Sequence, residues 1–198
     1  DYCVVGDGEL IVKNLINTGT SWQHYKDDGY NPVNLYAATK QAFESILEYY
    51  VQAHCLKVIT LALFDTYGPS DPRKKILRLL HDISLNQTSL SMSPGEQMMD
   101  FVYIDDVVEA FEAAYKYISR MSVGHQRFAV RSLEEISLRD LVVLFQSTLS
   151  VNLNIEWGGR EYRYREVMKP CSIWQRLPFW LPKVSLRDGL LLTFGDSK

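Results

Sequence analysis

Tyr36 and Lys40 stand four residues apart in the stretch "NLYAATKQAFESILEYY", Asn34 to Tyr50. On a helix that spacing puts both side chains on one face, within mutual reach. A lysine ammonium beside a phenol favours the phenolate through attraction of opposite charges. A tyrosine so placed can exchange a proton with a hydroxyl or carbonyl oxygen near neutral pH. The lysine's remaining donors can hold a ribose hydroxyl. The bland alternative is a lysine that snorkels from the first turn of an ordinary helix.

The flanking segments add to the pair. Upstream, a strand ends in Thr18, Thr20 and Ser21; downstream, another ends in Phe64, Asp65, Tyr67, Gly68 and Pro69. In an open α/β sheet, ligands bind beyond the carboxyl ends of the strands. A hydroxyl to polarise an oxygen, an acid/base and its electrostatic tuner would then converge there.

The elements that must position these residues are legible as an alternation. "NLINTG" reads as a short strand, followed by a loop rich in Gly, Pro, Asp and Asn. The Tyr36 helix runs to about His54, with an apolar stripe through Phe43, Leu47, Tyr50 and Val51 facing a core. "LKVITLALF" is a continuous apolar run, as in a strand buried on both faces. "DTYGPSDP" reads as a turn cluster, residues 72–85 as a helix in which "RKK" forms a solvated start, and "SLSMS" and "DFVYI" as strands. "DDVVEAFEAAYKYIS" is an amphipathic helix with Val108, Phe111, Ala114 or Tyr115, and Ile118 on one stripe. Asp106 with Glu109 suggests a capping box rather than a metal site. "QRFAV" and "LNIEW" read as strands, and "SLRDLVVLFQSTL" as a helix capped by Ser137. The aromatic, proline-rich tail ends in a short helix. Strand and helix alternating around continuous apolar strands give an α/β fold with a mainly parallel sheet.

Several motifs in order then carry a resemblance. "NTGTSW", "NPVNLYAATK", "LALFDTYGP" and "PGEQMMDFVYIDDVVEA" resemble the extended short-chain dehydrogenase/reductases, and within them the NAD-dependent epimerase/dehydratase family acting on nucleotide sugars. "NTGTSWQHY", "YAATKQAFE" and "EYRYREVM" most resemble its CDP-abequose-synthase-like reductases and their sugar-epimerase relatives. The resemblance implies the C-terminal part of a Rossmann-type parallel sheet plus a smaller mixed substrate-binding lobe. Residues 1–70 would be the Rossmann portion, with 101–130 packing back on it, and 71–198 mainly the substrate lobe.

The same resemblance makes Tyr36 the catalytic acid/base and Lys40 the residue that binds nicotinamide ribose. The catalytic Ser/Thr falls within "TGTS": counting back from Trp22 gives Gly19, which has no hydroxyl, so Thr20 is chosen, with Thr18 as the fallback. Trp22 and Asp65 border the substrate, Asp65 standing where the family often has asparagine. Ala62 and Met99 stand where it often has arginine. Arg163 and Arg165 would anchor the nucleotide diphosphate, since guanidinium forks match phosphate oxygens. On an extended segment they would point to the same side. Without the resemblance, "GGREYRYREVM" reads as a solvated basic loop.

The implied cofactor is NAD or NADP, and the implied partner a nucleotide-diphosphate sugar, with room for a homodimer. No GxGxxG or GxxGxxG, the turn that seats a dinucleotide pyrophosphate on a helix N-terminus, occurs in the 198 residues. The first part of the Rossmann unit, on the order of 90 to 100 residues, is expected upstream, and the chain alone is expected to bind NAD(P) weakly. Epimerase, dehydratase and 4-ketoreductase share one oxygen-centred proton step and stay open. So does a non-catalytic nucleotide-sugar binding or protein-interaction module, or a reductase of a non-nucleotide substrate that would not need Arg163 and Arg165.

Composition sets the outer bounds. Hydrophobic residues make up 46% and charged ones 23%, with a net charge of −3, an ordinary globular mixture with no dense basic block for nucleic acid. No apolar run is long enough for a membrane span. Cys3, Cys55 and Cys171 lack metal or disulfide spacing, and His24, His54, His81 and His125 form no ligand pattern, so a reduced cytoplasmic setting is expected and no metal.

Overall fold

In the computed structural model, residues 2–5, 9–27, 29–132 and 134–195 are described. In chain order the elements are β1 (Tyr2–Val5), β2 (Glu9–Val12), β3 (Asn14–Thr20), α1 (Leu35–His54), β4 (Lys57–Leu63), β5 (Asp65–Tyr67), α2 (Ile76–Asn86), β6 (Ser89–Met92), β7 (Met98–Met99) and β8 (Phe101–Tyr103). These are followed by α3 (Ile104–Ile118), β9 (Gly124–Val130), β10 (Ile136–Ser137), α4 (Leu138–Leu149), β11 (Asn154–Trp157) and α5 (Leu186–Phe194). The chain divides into two units. One comprises 1–64, 108–130 and 171–181; the other comprises 65–107, 131–170 and 182–198.

The first unit is built on a parallel sheet in the order β3-β4-β9. β4 is central, and its continuous aliphatic run puts Val58, Ile59, Leu61 and Ala62 fully out of water. Each such larger side chain contributes roughly 1.5–3 kcal/mol by burial. α1 and α3 cover opposite faces. Arg127 of β9 meets Glu44 of α1, while the next residue, Phe128, meets Tyr117 of α3 edge to face, and successive strand residues point to opposite sides. β1 and β2 pair antiparallel. Residues 171–181 join this unit through a bond from Ala129 N–H to the Gln175 carbonyl.

The second unit mixes pairings: β5 with β8 and β6 with β11 are parallel, and β7 with β10 is antiparallel. Leu80, Leu141, Phe145 and Leu190 are fully buried at its core. Ser137 caps α4, its hydroxyl accepting from Asp140 N–H at 3.0 Å, as its sequence position implied. The α/β architecture with a parallel sheet is therefore the one expected.

Four local expectations are corrected. Asp65–Tyr67, taken as part of a turn, is a strand because its backbone pairs with Phe101–Tyr103. α2 begins at Ile76 rather than 72. Arg73 and Lys75 lie before it, Arg73 paired with Asp71 at 2.7 Å and Lys75 Nζ donating to the Thr66 carbonyl. Asp106 lies inside the first turn of α3, where its carboxylate accepts from Lys183 and Val184 N–H at 2.9 and 3.0 Å, so it ties down the tail segment. The apolar stripes are also rotated. On α1, Leu47 is buried and Val51 packs beside it, but Phe43 and Tyr50 are exposed. On α3, Ala110, Ala114 and Ile118 are buried while Val108 and Tyr115 face water.

Candidate active site

α1 starts where the sequence places Tyr36. Asn34 caps it, its side-chain oxygen accepting from Ala37 N–H at 3.0 Å. Capping of this kind is worth about 1 kcal/mol and fixes the first turn. Tyr36 stands in that turn, 53% exposed. Lys40, half-buried, follows one turn later with Nζ 5.7 Å from the centre of the Tyr36 ring. The two are thus brought together as the spacing implied.

The segment between β3 and α1 folds back on itself. Tyr25 N–H donates to the Asn31 carbonyl, Asn31 N–H to Gln23 and Val33 N–H to Trp22, at 2.8 to 3.0 Å. These bonds pin the run into α1 against the turn that follows β3. Thr20 caps that turn, a 3-10 helix over Ser21–Gln23. Its hydroxyl accepts from Trp22 N–H at 3.4 Å, and its own N–H donates to Gln23 Oε1 at 2.9 Å. A threonine hydroxyl that accepts one bond still has its proton to give. Trp22 is half-buried beside it.

Gly19 shows why a hydroxyl residue cannot stand at the position counted from Trp22. A Cβ there would come 2.7 Å from Thr60 Cγ2 and 3.1 Å from Gln23 Oε1. It would also point at the α1 side of the sheet. Thr18 and Thr20 share the opposite face. Ala62 is fully buried in mid-strand, which suits a small apolar residue and not a guanidinium.

Beneath α1 lies a polar network that sequence reasoning missed. Glu44, 1% exposed, accepts from Arg127 Nε at 2.7 Å and from Gln23 Nε2 at 2.8 Å. Arg127 Nη2 also donates to Glu48 at 2.9 Å, which is 2.9 Å from His125 Nδ1. His125 Nε2 meets the Thr60 hydroxyl at 2.8 Å, and Thr60 accepts from Asn17. Burial pushes the Glu48 carboxyl up, but hydrogen bonds from Arg127 and His125 outweigh it and hold the group below the usual carboxylate range. The sequence signal was available: Tyr36, Lys40 and Glu44 recur at intervals of four, and a glutamate facing a sheet needs a buried partner.

In the second unit, Asp65 opens β5, its N–H bonded to the Asp100 carbonyl at 3.0 Å. Burial pushes its carboxyl up; Lys75 pulls it back and the Asp100 charge raises it further. Arg163 and Arg165 do not lie on an extended segment. Glu166 N–H donates to the Arg163 carbonyl at 3.0 Å, and the Glu166 carboxylate accepts from Arg163 N–H at 3.3 Å. These bonds close a turn through Tyr164 and Arg165, so the two arginines straddle a bend. The Arg163 side chain is 80% exposed, and Arg165 is half-buried. Met99 lies in β7, opposite Ile136.

Among the described residues no group of His, Cys, Asp and Glu could hold a metal ion, and no helix is long and apolar enough to cross a membrane.

A family model described as "NAD dependent epimerase/dehydratase family" matches residues 12–127, more than half of the chain. The chain is 28% identical over 171 residues to a CDP-abequose synthase of Salmonella typhimurium, covering 83% of this chain and 56% of that protein. It is 31% identical over 160 residues to a CDP-abequose synthase of Yersinia pseudotuberculosis, covering 79% and 54%. The chain thus spans about half the length of these curated relatives. In fold it is similar to MoeE5 in complex with UDP-glucose and NAD, with a TM-score of 0.81 at 19% identity over 93% of this chain and 64% of that one.

Proposed function

The chain belongs to the NAD-dependent epimerase/dehydratase family, and from that premise we propose that it carries the proton-transfer residues of an NAD(P)-dependent nucleotide-sugar epimerase, dehydratase or 4-ketoreductase. One observation carries this reading. Tyr36 stands exposed in the first turn of α1 with the Lys40 ammonium 5.7 Å from its ring, and backbone bonds pin that helix start to the turn capped by Thr20.

In this reading the sugar oxygen lies against the Tyr36 hydroxyl, which takes its proton or returns one. Thr20, already accepting from Trp22 N–H, gives its own proton to the same oxygen and steadies the charge that develops there. Thr18, on the same face of β3, is the fallback for that role. Trp22 shields the sugar from water. Lys40 fits the nicotinamide ribose: its ammonium has three donors and no ion-pair partner among the described residues. When bound, the dinucleotide supplies the hydride acceptor or donor. In the second unit, Arg163 and Arg165 are assigned to diphosphate and Asp65 to a sugar hydroxyl.

The homology to CDP-abequose synthases and the likeness to a structure holding UDP-glucose and NAD support a nucleotide-sugar substrate. Chromatography of a panel of CDP- and UDP-sugars incubated with the protein and NAD or NADP tests the proposal. A 4-epimer, a 4-keto-6-deoxy sugar or a reduced ketosugar is the expected product. A second reading is a nucleotide-sugar binding module. Calorimetric binding of a panel member, with no conversion of any, would select it.

A further inference from the structure

Glu44 lies one helical turn beyond Lys40 and two beyond Tyr36, on a helix whose exposed side carries none of its bonds. Every bond around it has a polarity. The carboxylate accepts at both oxygens, from Arg127 Nε and from Gln23 Nε2. Gln23 is fully buried, and its amide has one accepting and one donating end. Because Glu44 can only accept, Gln23 presents its NH2 group to Glu44 and to Gln41 Oε1. Its carbonyl is thereby left to face Thr20 N–H. Reversing the amide would set a donor against a donor in a place with no water to relieve it, at a cost of about 1–3 kcal/mol.

We propose that Glu44 is a positioning residue: anchored by Arg127, it sets the orientation of the Gln23 amide and so locks Thr20, at the end of β3, to the helix that carries Tyr36 and Lys40. Its catalytic meaning rests on the function proposed above; the relay itself does not. The relay makes the 2.9 Å bond to Thr20 N–H conditional on a carboxylate two helical turns from the acid/base, and Arg127 compensates the buried charge.

The polarity argument gives a sharp test. In Glu44→Gln the new amide has a single acceptor. Given to Arg127, it turns its NH2 group to Gln23, whose amide must flip and release Thr20 N–H. Combining Glu44→Gln with Gln23→Glu restores every bond. The carboxylate at position 23 then accepts from Thr20 N–H and from the amide at 44, the carbonyl at 44 accepts from Arg127, and the Gln41 amide turns to donate.

Hydrogen exchange of the Thr20 amide in the full chain reads the relay directly. Exchange is expected to rise about tenfold or more in Glu44→Gln and to return to within about threefold of wild type in the swapped pair. With a nucleotide sugar as substrate, kcat is expected to fall about tenfold in the single variant and recover in the swap, with KM changed by less than about threefold. Should Glu44→Gln not fold, Gln23→Met removes the relay while leaving the Glu44–Arg127 pair intact, and it too is expected to release Thr20. Unchanged Thr20 exchange in either single variant, or a swap as unprotected as Glu44→Gln, overturns the proposal. If wild type converts no nucleotide sugar, the proposed function fails and Thr20 exchange alone decides the relay.

Discussion

His125 carries no ligand spacing in the sequence, yet its side chain is 2% exposed and bonded on both ring nitrogens. One neutral tautomer satisfies both bonds, giving Nδ1–H to Glu48 and accepting at Nε2 from Thr60. Burial first, then the Arg127 charge, holds the imidazole below its ordinary value, and Glu48 pulls it back only in part. The unfolded chain therefore takes the proton at a higher pH than the folded one. Stability from this group is complete above an ordinary histidine pKa of about 6.5 and falls as the pH drops below it. Asp65 and Asp100, pushed up by burial, act in the opposite sense on acidification, so a variant must isolate the histidine. Urea unfolding between about pH 7 and 5.5 is expected to show a shallower loss of stability in His125→Gln than in wild type; equal slopes would remove His125 as the cause. At this scale the juxtaposition of Tyr36 and Lys40 was legible, because they are local neighbours on one helix. The partner of Glu44 was not, because Arg127 lies 83 residues away and is brought to it only by the sheet.

α1 shows where periodicity misleads. Its apolar residues lie on two sides, and the sequence reading took Phe43, Leu47, Tyr50 and Val51 as one stripe. The structure keeps Leu47 and Val51 inward and adds Ala37 and Glu44, while Phe43 and Tyr50 turn out. It does so because Arg127 pairs with Glu44, which lets a charged residue occupy the buried face and leaves Phe43, Ile46 and Tyr49 in water. A pattern of apolar residues alone cannot reveal a buried ion pair whose partner lies in a distant strand. The rotation has a measurable consequence. Leu47→Ala should cost about 2–5 kcal/mol and Phe43→Ala less than about 1 kcal/mol in chemical denaturation. A loss from Phe43→Ala as large as that from Leu47→Ala would put Phe43 back on the buried face. One helix start was legible, Ser137 capping α4 as read, but the starts of α2 and α3 were not, and Asp65–Tyr67, a strand that needed a distant partner, was taken for a turn.

For the whole molecule, the parallel β3-β4-β9 sheet follows from β4, whose unbroken aliphatic run demands cover on both faces. What could not be read was the return of 171–181, which joins the first unit through contacts such as Ala129 to Gln175 that leave no periodic mark. The sheet and its connections deliver two local groups, the Thr20 turn and the start of α1, to one carboxyl-terminal edge. Two measurements on one variant, the turnover of a nucleotide sugar and its binding, test that claim most directly. For Tyr36→Phe the proposed function predicts that kcat falls by about 10²–10⁴-fold while the Kd of the nucleotide sugar stays within about threefold and the protein remains folded. A kcat within about threefold of wild type would contradict Tyr36 as the acid/base.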